Sequence, residues 1–194
     1  MTKIRWGIVG AARVNERLIP AINQSALGEL IAIGSRRRGA AKDCLLKHLP
    51  ESEDKVSCFD GLDQVITHNN VDAIYIPLAN EEHTEIALKA IREKKHVLIE
   101  KPMAIKSEEV KILIEEAAKN NVKIMEGFMY AFHPQFDRIM NTIKSNILGD
   151  ISYAHSMFSF PIKPARFYRI DRSMENGGGV LWDIGPYAIH TIRQ

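Results

Sequence analysis

Two charged residues follow an apolar stretch in the segment HVLIEKPMAI, which covers residues 96–105. Residues 96–99 have the composition of a buried strand, whereas Glu100 and Lys101 come directly after it, and Pro102 restrains the turn that follows. A desolvated charge is costly unless it is paired or hydrogen-bonded. The charged pair therefore indicates a cleft, a partner, or both; the alternative is a surface ion pair on a loop.

A second stretch, GIVGAARVNERLIPAI at residues 7–22, has the form of a strand, a tight turn at Gly10 and a helix. The free amides and the positive dipole end of such a helix can hold a pyrophosphate. The full dinucleotide fingerprint has three glycines, and here Ala12 and Asn15 stand in place of the second and third. A plain strand-to-helix turn explains this pattern equally well.

A third stretch places Ser35, Arg36, Arg37 and Arg38 after an apolar run at residues 29–34. Proteins that bind NAD usually have a carboxylate at this point for the ribose hydroxyls, whereas the extra phosphate of NADP needs a cation. Guanidinium groups match phosphate oxygens in geometry and charge. The run favours NADP(H) over NAD(H), and the alternative is a solvated basic segment at the start of a helix.

The elements that must position these residues alternate between strand and helix. Apolar runs predict six strands, and amphipathic stretches lie between them, including a helix with Val110, Leu113, Ile114 and Ala117 as its buried stripe. Short apolar strands with helical crossovers are typical of a doubly wound α/β fold with a parallel sheet covered on both faces. The predicted strands are 3–9, 29–34, 55–59, 71–78, 96–100 and 122–128.

Ligands of this fold bind beyond the carboxyl ends of the strands. The turn after the fourth strand, IPLANEEH at residues 76–83, therefore places Pro77, Asn80 and His83 where a nicotinamide ribose would lie. Two alternatives remain open, since Asn80 also suits a helix cap and His83 also suits a surface position.

The alternating pattern ends near residue 124, which predicts a dinucleotide-binding domain at 1–124 and the beginning of a second α+β domain at 125–194. The second region contains a predicted helix at 133–147, a long predicted strand at 151–160 and a final apolar helix after three glycines. A strand of this length needs neighbours in a sheet, and the residues after it offer no second strand. Either a partner chain completes the sheet or the sequence is incomplete.

The composition excludes several classes of function. The net charge is +2, with 26 basic and 24 acidic residues, which gives no electrostatic reason to expect a nucleic-acid or membrane partner. The histidines and the two cysteines show no metal-ligand spacing, so no metal site is predicted. The absence of a signal peptide and of a long apolar run, together with the low cysteine content, predicts a cytoplasmic protein.

Six motifs together resemble one family of enzymes. They are RWGIVGAARV, GSRR, YIPLANEEH, the EKP triplet at 100–102, EGFMYAFHPQ at 126–135 and GGGVLWDIGPY at 177–187. The combination is similar to the Gfo/Idh/MocA oxidoreductases, and within that family to the NADP-dependent D-xylose dehydrogenases and dimeric dihydrodiol dehydrogenases. The triplet and the glycine-rich motif at this separation are specific, whereas the glycine turn alone is not.

The resemblance implies that Lys101 lies beside the nicotinamide and that Asp183 and Tyr187 face the same pocket. The four-residue separation of Asp183 and Tyr187 predicts one face of the last helix for both. Oxidation of a hydroxyl needs a group that accepts its proton while hydride leaves the same carbon. Tyr187 suits this role, because a neighbouring ammonium lowers a tyrosine pKa from its ordinary value of about 10. Asp183 would orient a substrate hydroxyl.

The same resemblance implies a set of residues that bind the cofactor. They follow successive strands: Gly10, Ala12, Arg13 and Val14; Ser35, Arg36 and Arg37; Pro77, Leu78, Asn80 and His83; and Glu100 and Lys101.

The predicted function is hydride transfer between NADP(H) and a sugar, a polyol or a related alcohol. A non-catalytic NADP(H)-binding or regulatory protein is an alternative, because this fold also binds cofactors without chemistry. An inactive fragment of such an enzyme is another. The second domain of the family is a broad open sheet that forms the oligomer interface, so a homo-oligomer is expected if that domain is complete.

Overall fold

The computed structural model describes residues 2–194, which divide into two compact units between residues 126 and 127. The first unit contains a six-stranded sheet. The strands are β1 (Ile4–Val9), β2 (Gly28–Gly34), β3 (Ser57–Phe59), β4 (Ala73–Ile76), β5 (His96–Glu100) and β6 (Ile124–Gly127). Their order in the sheet is β3-β2-β1-β4-β5-β6. β1 pairs in parallel with β2 and β4, β2 pairs with β3, and β4 pairs with β5. The predicted doubly wound α/β fold is confirmed.

Helices connect the strands of this sheet. They are α1 (Asn15–Gln24), α2 (Ala40–His48), α3 (Asp63–Ile66), α4 (His83–Arg92) and α5 (Ser107–Lys119), with short 3₁₀ turns at Pro50–Ser52 and Asn80–Glu82. Chain order reverses between β1 and β4, which are neighbours in the sheet although two strands separate them in sequence. In such sheets a crevice for ligands opens at this reversal, beyond the carboxyl ends of the strands.

Two apolar clusters form the core of the first unit. Ile8 belongs to one cluster and its neighbour Val9 to the other, because successive side chains of a strand point to opposite faces of the sheet. Nearly continuous apolar strands are therefore required, since both faces of the sheet are covered. The stripe predicted for α5 is correct at Leu113 and Ala117 but wrong at Ile114, which is 54% exposed.

The second unit contains short elements without a sheet of its own among the described residues. Its α-helices are α6 (Pro134–Lys144), α7 (Tyr168–Asp171), α8 (Val180–Asp183) and α9 (Gly185–Arg193), and its 3₁₀ turns are Met129–Phe132, Pro164–Arg166 and Met174–Asn176. Within the range 2–194, no helix is both long and apolar enough to cross a membrane.

The long strand predicted at 151–160 is wrong. This segment has neither helix nor strand, and its side chains are largely exposed, with Tyr153 at 80% and Met157 at 79%. The alternating apolar pattern suits a pleated, half-buried surface, but a strand forms only where another strand accepts and donates its backbone hydrogen bonds. No neighbouring strand is present in the second unit.

The prediction of a single final helix is also wrong, because the helical conformation is interrupted at Ile184, between α8 and α9. Pro186 lies in the first turn of α9 and has no N–H to continue the hydrogen-bond ladder of α8. Asp183 and Tyr187 therefore belong to successive helices, and the periodicity of one helix does not place them on a common face.

Candidate functional site

Gly10 forms the turn between β1 and α1. Its φ of +131° is a backbone conformation that residues with a Cβ rarely adopt. The N–H of Gly10 donates a hydrogen bond to the Gly34 carbonyl at 2.8 Å. A Cβ at this position would lie 2.9 Å from Cδ2 of Leu78 in the loop after β4. Glycine is therefore required here, because the backbone of the turn approaches the loop of the neighbouring strand closely.

Asn15 occupies the third glycine position of the fingerprint and is completely buried. Its Nδ2 donates to the Gly10 carbonyl at 2.8 Å and lies 3.5 Å from Sγ of Cys44. The backbone N–H of Asn15 donates to the Ala12 carbonyl at 3.1 Å, which leaves Arg13 and Val14 at the tip of the turn before α1 begins. Asn15 thus fixes the turn with a hydrogen bond that a glycine could not supply.

The loop after β2 contacts the loops after β1 and β4. Ser35 is buried, and its hydroxyl accepts a hydrogen bond from the N–H of Arg37 at 3.2 Å. Nη2 of Arg37 donates to the Ala11 carbonyl at 3.1 Å, while Nη2 of Arg36 forms an ion pair with Oε1 of Glu82. Both guanidinium groups therefore lie at the carboxyl edge of the sheet.

The loop after β4 contains Pro77, Leu78 and Asn80, and Asn80 begins the 3₁₀ turn that leads into α4. His83 is the first residue of α4 and is completely buried, so the surface alternative for this histidine is wrong. Its Nδ1 lies 2.8 Å from the Pro102 carbonyl and its Nε2 lies 3.1 Å from the Leu78 carbonyl. His83 connects the loop after β4 to the loop after β5.

The charged residues at the end of β5 have different surroundings. Glu100 accepts a hydrogen bond of 2.7 Å from the hydroxyl of Tyr75, a residue of β4 that is almost completely buried. Lys101 is only 8% exposed and precedes a cis peptide bond to Pro102. The alternative of a surface ion pair on a loop is therefore wrong for Lys101. Beyond this bond, the N–H of Met103 donates to Oε1 of Glu126 at 2.7 Å, which anchors the segment after Lys101.

In the second unit, Asp183 is buried and pairs with Arg169, whose Nη1 lies 2.9 Å from Oδ1 of the aspartate. Tyr187 packs against aromatic rings, with ring centroids 4.9 Å from Phe158 and 5.9 Å from Phe128. Its hydroxyl lies 3.6 Å from Sδ of Met129.

Sequence reasoning missed four residues that position these groups: Asn15, Tyr75, Glu126 and Arg169. Glu126 could have been found, because it lies near the end of β6 and polar residues at strand ends were the criterion used elsewhere. Tyr75 and Arg169 gave no signal, since their partners are 25 and 14 residues away and only the folded chain brings them together. Among residues 2–194, no group of three or more potential metal ligands is assembled.

A parallel sheet with reversed strand order, a glycine turn before α1 and two arginines after β2 define a dinucleotide-binding Rossmann domain. The model of an oxidoreductase family with an NAD-binding Rossmann fold, Gfo/Idh/MocA, matches residues 4–128. The chain belongs to the Gfo/Idh/MocA oxidoreductase family. This confirms the family inferred from the six sequence motifs.

Individual relatives cover almost the whole chain. A dTDP-3,4-didehydro-2,6-dideoxy-alpha-D-glucose 3-reductase of Actinomadura kijaniata is 33% identical over 189 residues, covering 97% of this chain and 54% of that protein. A D-xylose 1-dehydrogenase (NADP(+)) of Haloferax volcanii is 32% identical over 193 residues, covering 97% and 56% respectively.

A crystal structure of a 3-ketoreductase from Actinomadura kijaniata, in complex with NADP and TDP-benzene, superposes with a TM-score of 0.84 at 32% identity. The match covers 96% of this chain and 55% of that one. The chain thus spans about half the length of the curated relatives it matches, 54% and 56% for the two proteins above.

Proposed function

We propose that this chain belongs to an NADP(H)-dependent oxidoreductase that transfers a hydride between the cofactor and a sugar, a polyol or a related alcohol. One observation carries the proposal: in a Rossmann domain of an oxidoreductase family, a lysine that is only 8% exposed stands at the carboxyl end of β5. Burial of an ammonium is costly, so a lysine that is kept buried at this strand end supports a functional role.

The described residues fit a dinucleotide. A Cβ at Gly10 would lie 2.9 Å from Cδ2 of Leu78, so glycine allows the tight turn after β1 that a pyrophosphate-binding loop needs. The turn of Gly10, Ala12, Arg13 and Val14 would hold the pyrophosphate at the start of α1, a helix of ten residues. Ser35, Arg36 and Arg37 would hold the 2′-phosphate. The remaining cofactor contacts would come from Pro77, Leu78, Asn80, His83, Glu100 and Lys101.

When bound, the cofactor supplies the hydride acceptor or donor. In the proposed roles, Lys101 donates a hydrogen bond to the substrate oxygen. Tyr187 accepts the hydroxyl proton as the phenolate during oxidation and returns it as the phenol during reduction. Asp183 orients a substrate hydroxyl. Its pairing with Arg169 supports a fixed carboxylate, because the ion pair restrains the side chain in one conformation.

Three broader features belong to the same proposal. Residues 125–194 are taken as the beginning of a substrate and oligomerisation domain, so a homo-oligomer is expected of a protein that completes that domain. The substrate is a small molecule, as it is in the names of the matched relatives. A cytoplasmic location is supported by the free thiols of Cys44 and Cys58.

The test measures turnover and cofactor binding of the full-length protein against a panel of sugars and polyols. We expect Lys101→Met and Tyr187→Phe each to lower kcat by about 10²-fold or more, because each removes a group that acts on the transferred proton or the reacting oxygen. The dissociation constant for NADPH is expected to change little, because Tyr187 is not a proposed cofactor contact and Lys101 is only one of many. Exposed residues of the same types provide matched controls, Lys106→Met and Tyr153→Phe.

Three other results would count against this assignment. Turnover that is unchanged in Lys101→Met and Tyr187→Phe would reject the catalytic roles. Tight NADPH binding without turnover of any substrate would select the non-catalytic alternative. A protein that binds neither NADPH nor NADH would reject the proposed function as a whole.

A further inference from the structure

Glu82 connects two loops at the carboxyl edge of the sheet. It ends the 3₁₀ turn after β4, where its Oε2 accepts a hydrogen bond from the N–H of Ala79 at 3.3 Å. Its other oxygen, Oε1, forms the ion pair with Nη2 of Arg36 in the loop after β2. Since β1 lies between β2 and β4, this carboxylate reaches across the turn of Gly10.

The ion pair is accessible to solvent. The side chain of Arg36 is 62% exposed and that of Glu82 is 25% exposed. An exposed ion pair changes a folding or binding equilibrium constant by only a few-fold, because water screens the charges and both side chains lose conformational freedom. An anion of higher charge can therefore displace Glu82 from Arg36 without disturbing the core.

The two arginines of the loop differ in their partners. Arg37 donates from its guanidinium group to the Ala11 carbonyl and from its backbone N–H to the Ser35 hydroxyl, and both of these acceptors are neutral. Arg36 alone of these two residues is paired with a carboxylate in the described structure. The negative charge of Glu82 is therefore directed at one of the two guanidinium groups that the proposed function assigns to the 2′-phosphate.

We propose that Glu82 is a specificity-determining residue that competes with the 2′-phosphate of NADP(H) for Arg36 and so narrows the preference for NADP(H) over NAD(H). This rests on the proposed function. The 2′-phosphate must displace the Glu82 carboxylate from Arg36, whereas the 2′-hydroxyl of NAD(H) has no charge and does not compete with the carboxylate for the guanidinium group. The Glu82 carboxylate thus weakens the binding of NADP(H) more than it weakens the binding of NAD(H).

The experiment measures dissociation constants of the full-length protein for NADPH and NADH by fluorescence titration at low and high salt. Glu82→Gln keeps an amide oxygen that can accept from Ala79 but removes the charge. We expect it to tighten NADPH binding by about two- to fivefold and to change NADH binding by less than about twofold. High salt should reduce the gain, because added ions screen the charge of Glu82.

Two control variants test whether the effect depends on the ion pair between Arg36 and Glu82. Glu81→Gln makes the same change of charge at an exposed neighbouring residue, and we expect it to shift both dissociation constants by similar small factors. In an Arg36→Ala background, Glu82→Gln should give no selective gain, because the competing pair is already absent. Thermal unfolding of each variant verifies that the loop substitution leaves the fold intact.

The inference is overturned if Glu82→Gln changes NADPH and NADH binding equally, or if the selective gain persists without Arg36. The inference fails while the proposed function still stands if the wild-type protein binds NADPH and Glu82→Gln leaves the ratio of NADPH to NADH affinity unchanged. It fails together with the proposed function when the wild-type protein binds neither cofactor. Should Glu82→Gln unfold, Glu82→Ala removes the same charge, and the ratio of NADPH to NADH affinity must rise.

Discussion

His83 is a buried imidazole with a backbone carbonyl beside each ring nitrogen. Burial is the largest effect and lowers the pKa of His83 from its ordinary value of 6.5, against the carbonyls of Pro102 and Leu78, which raise it. Burial therefore disfavours the charged imidazolium in the folded protein. The shorter of the two distances, 2.8 Å to the Pro102 carbonyl, favours a donor N–H on Nδ1.

This burial predicts a pH dependence of stability. Because the folded pKa is lowered, the unfolded chain binds the proton more readily, and stability is lost as the pH falls below the unfolded value of 6.5. We expect a loss of up to about 1.4 kcal/mol per pH unit from this one group, measured by urea unfolding between about pH 8 and pH 5. His83→Asn should show a flatter profile.

A control separates this effect from general acid sensitivity. His155 is exposed in the segment after Asp150, and His155→Asn removes a histidine from outside the core. Its pH profile should match that of the wild-type protein. If His83→Asn kept the full acid sensitivity, the loss of stability would belong to other groups.

At the scale of elements, the two units differ in the hydrogen-bond partners of their backbone N–H and C=O groups. β4 lies between β1 and β5 and pairs with both strands, and all four of its residues are buried. Residues 151–160 have an alternating apolar pattern but no strand to pair with among the described residues. Their backbone groups therefore depend on water.

This difference predicts the rates of amide hydrogen exchange. In residues 2–194, we expect the amides of 151–160 to exchange close to the rate of an unstructured peptide. The amides of Ala73–Ile76 should exchange slower by on the order of 10³-fold or more, because they open only with the sheet. Mass spectrometry of peptic peptides measures both regions in one experiment. Strong protection of 151–160 would show that this segment finds a strand partner in solution.

At the scale of the whole molecule, the first unit contains both apolar clusters and all six strands of the sheet, apart from the last residue of β6. The second unit exposes large apolar side chains, such as Ile147 at 77% and Tyr153 at 80%. The hydrophobic free energy that stabilises the fold therefore comes chiefly from the first unit.

We therefore expect a fragment that ends at Phe128 to fold by itself. Urea unfolding should be a single cooperative transition, followed by circular dichroism and by the fluorescence of Trp6, which is the one tryptophan left in the fragment. The fragment should bind NADPH but show no turnover, because Asp183 and Tyr187 are absent. A broad, non-cooperative transition would mean that the first unit needs the second for stability.

Much of the architecture was predictable from the sequence because it depends on local patterns. Apolar runs of strand length, amphipathic helices and the turn at Gly10 predicted the doubly wound sheet, and six short motifs predicted the family. The carboxyl ends of parallel strands meet at one edge of the sheet, and this rule also predicted that Arg36, Arg37 and Lys101 lie at that edge. These features need only the periodicity of side chains and the connectivity of parallel strands.

Long-range pairing was decided only by the tertiary structure. The sequence predicted Glu100, His83, Arg36 and Asp183 as site residues. It did not give their partners, which are Tyr75, Pro102, Glu82 and Arg169 respectively. It also predicted a strand at 151–160 that has no neighbour to pair with. The physical reason is the same in each case: a hydrogen bond or an ion pair between distant residues depends on where the folded backbone brings them, and side-chain periodicity holds no information about that distance.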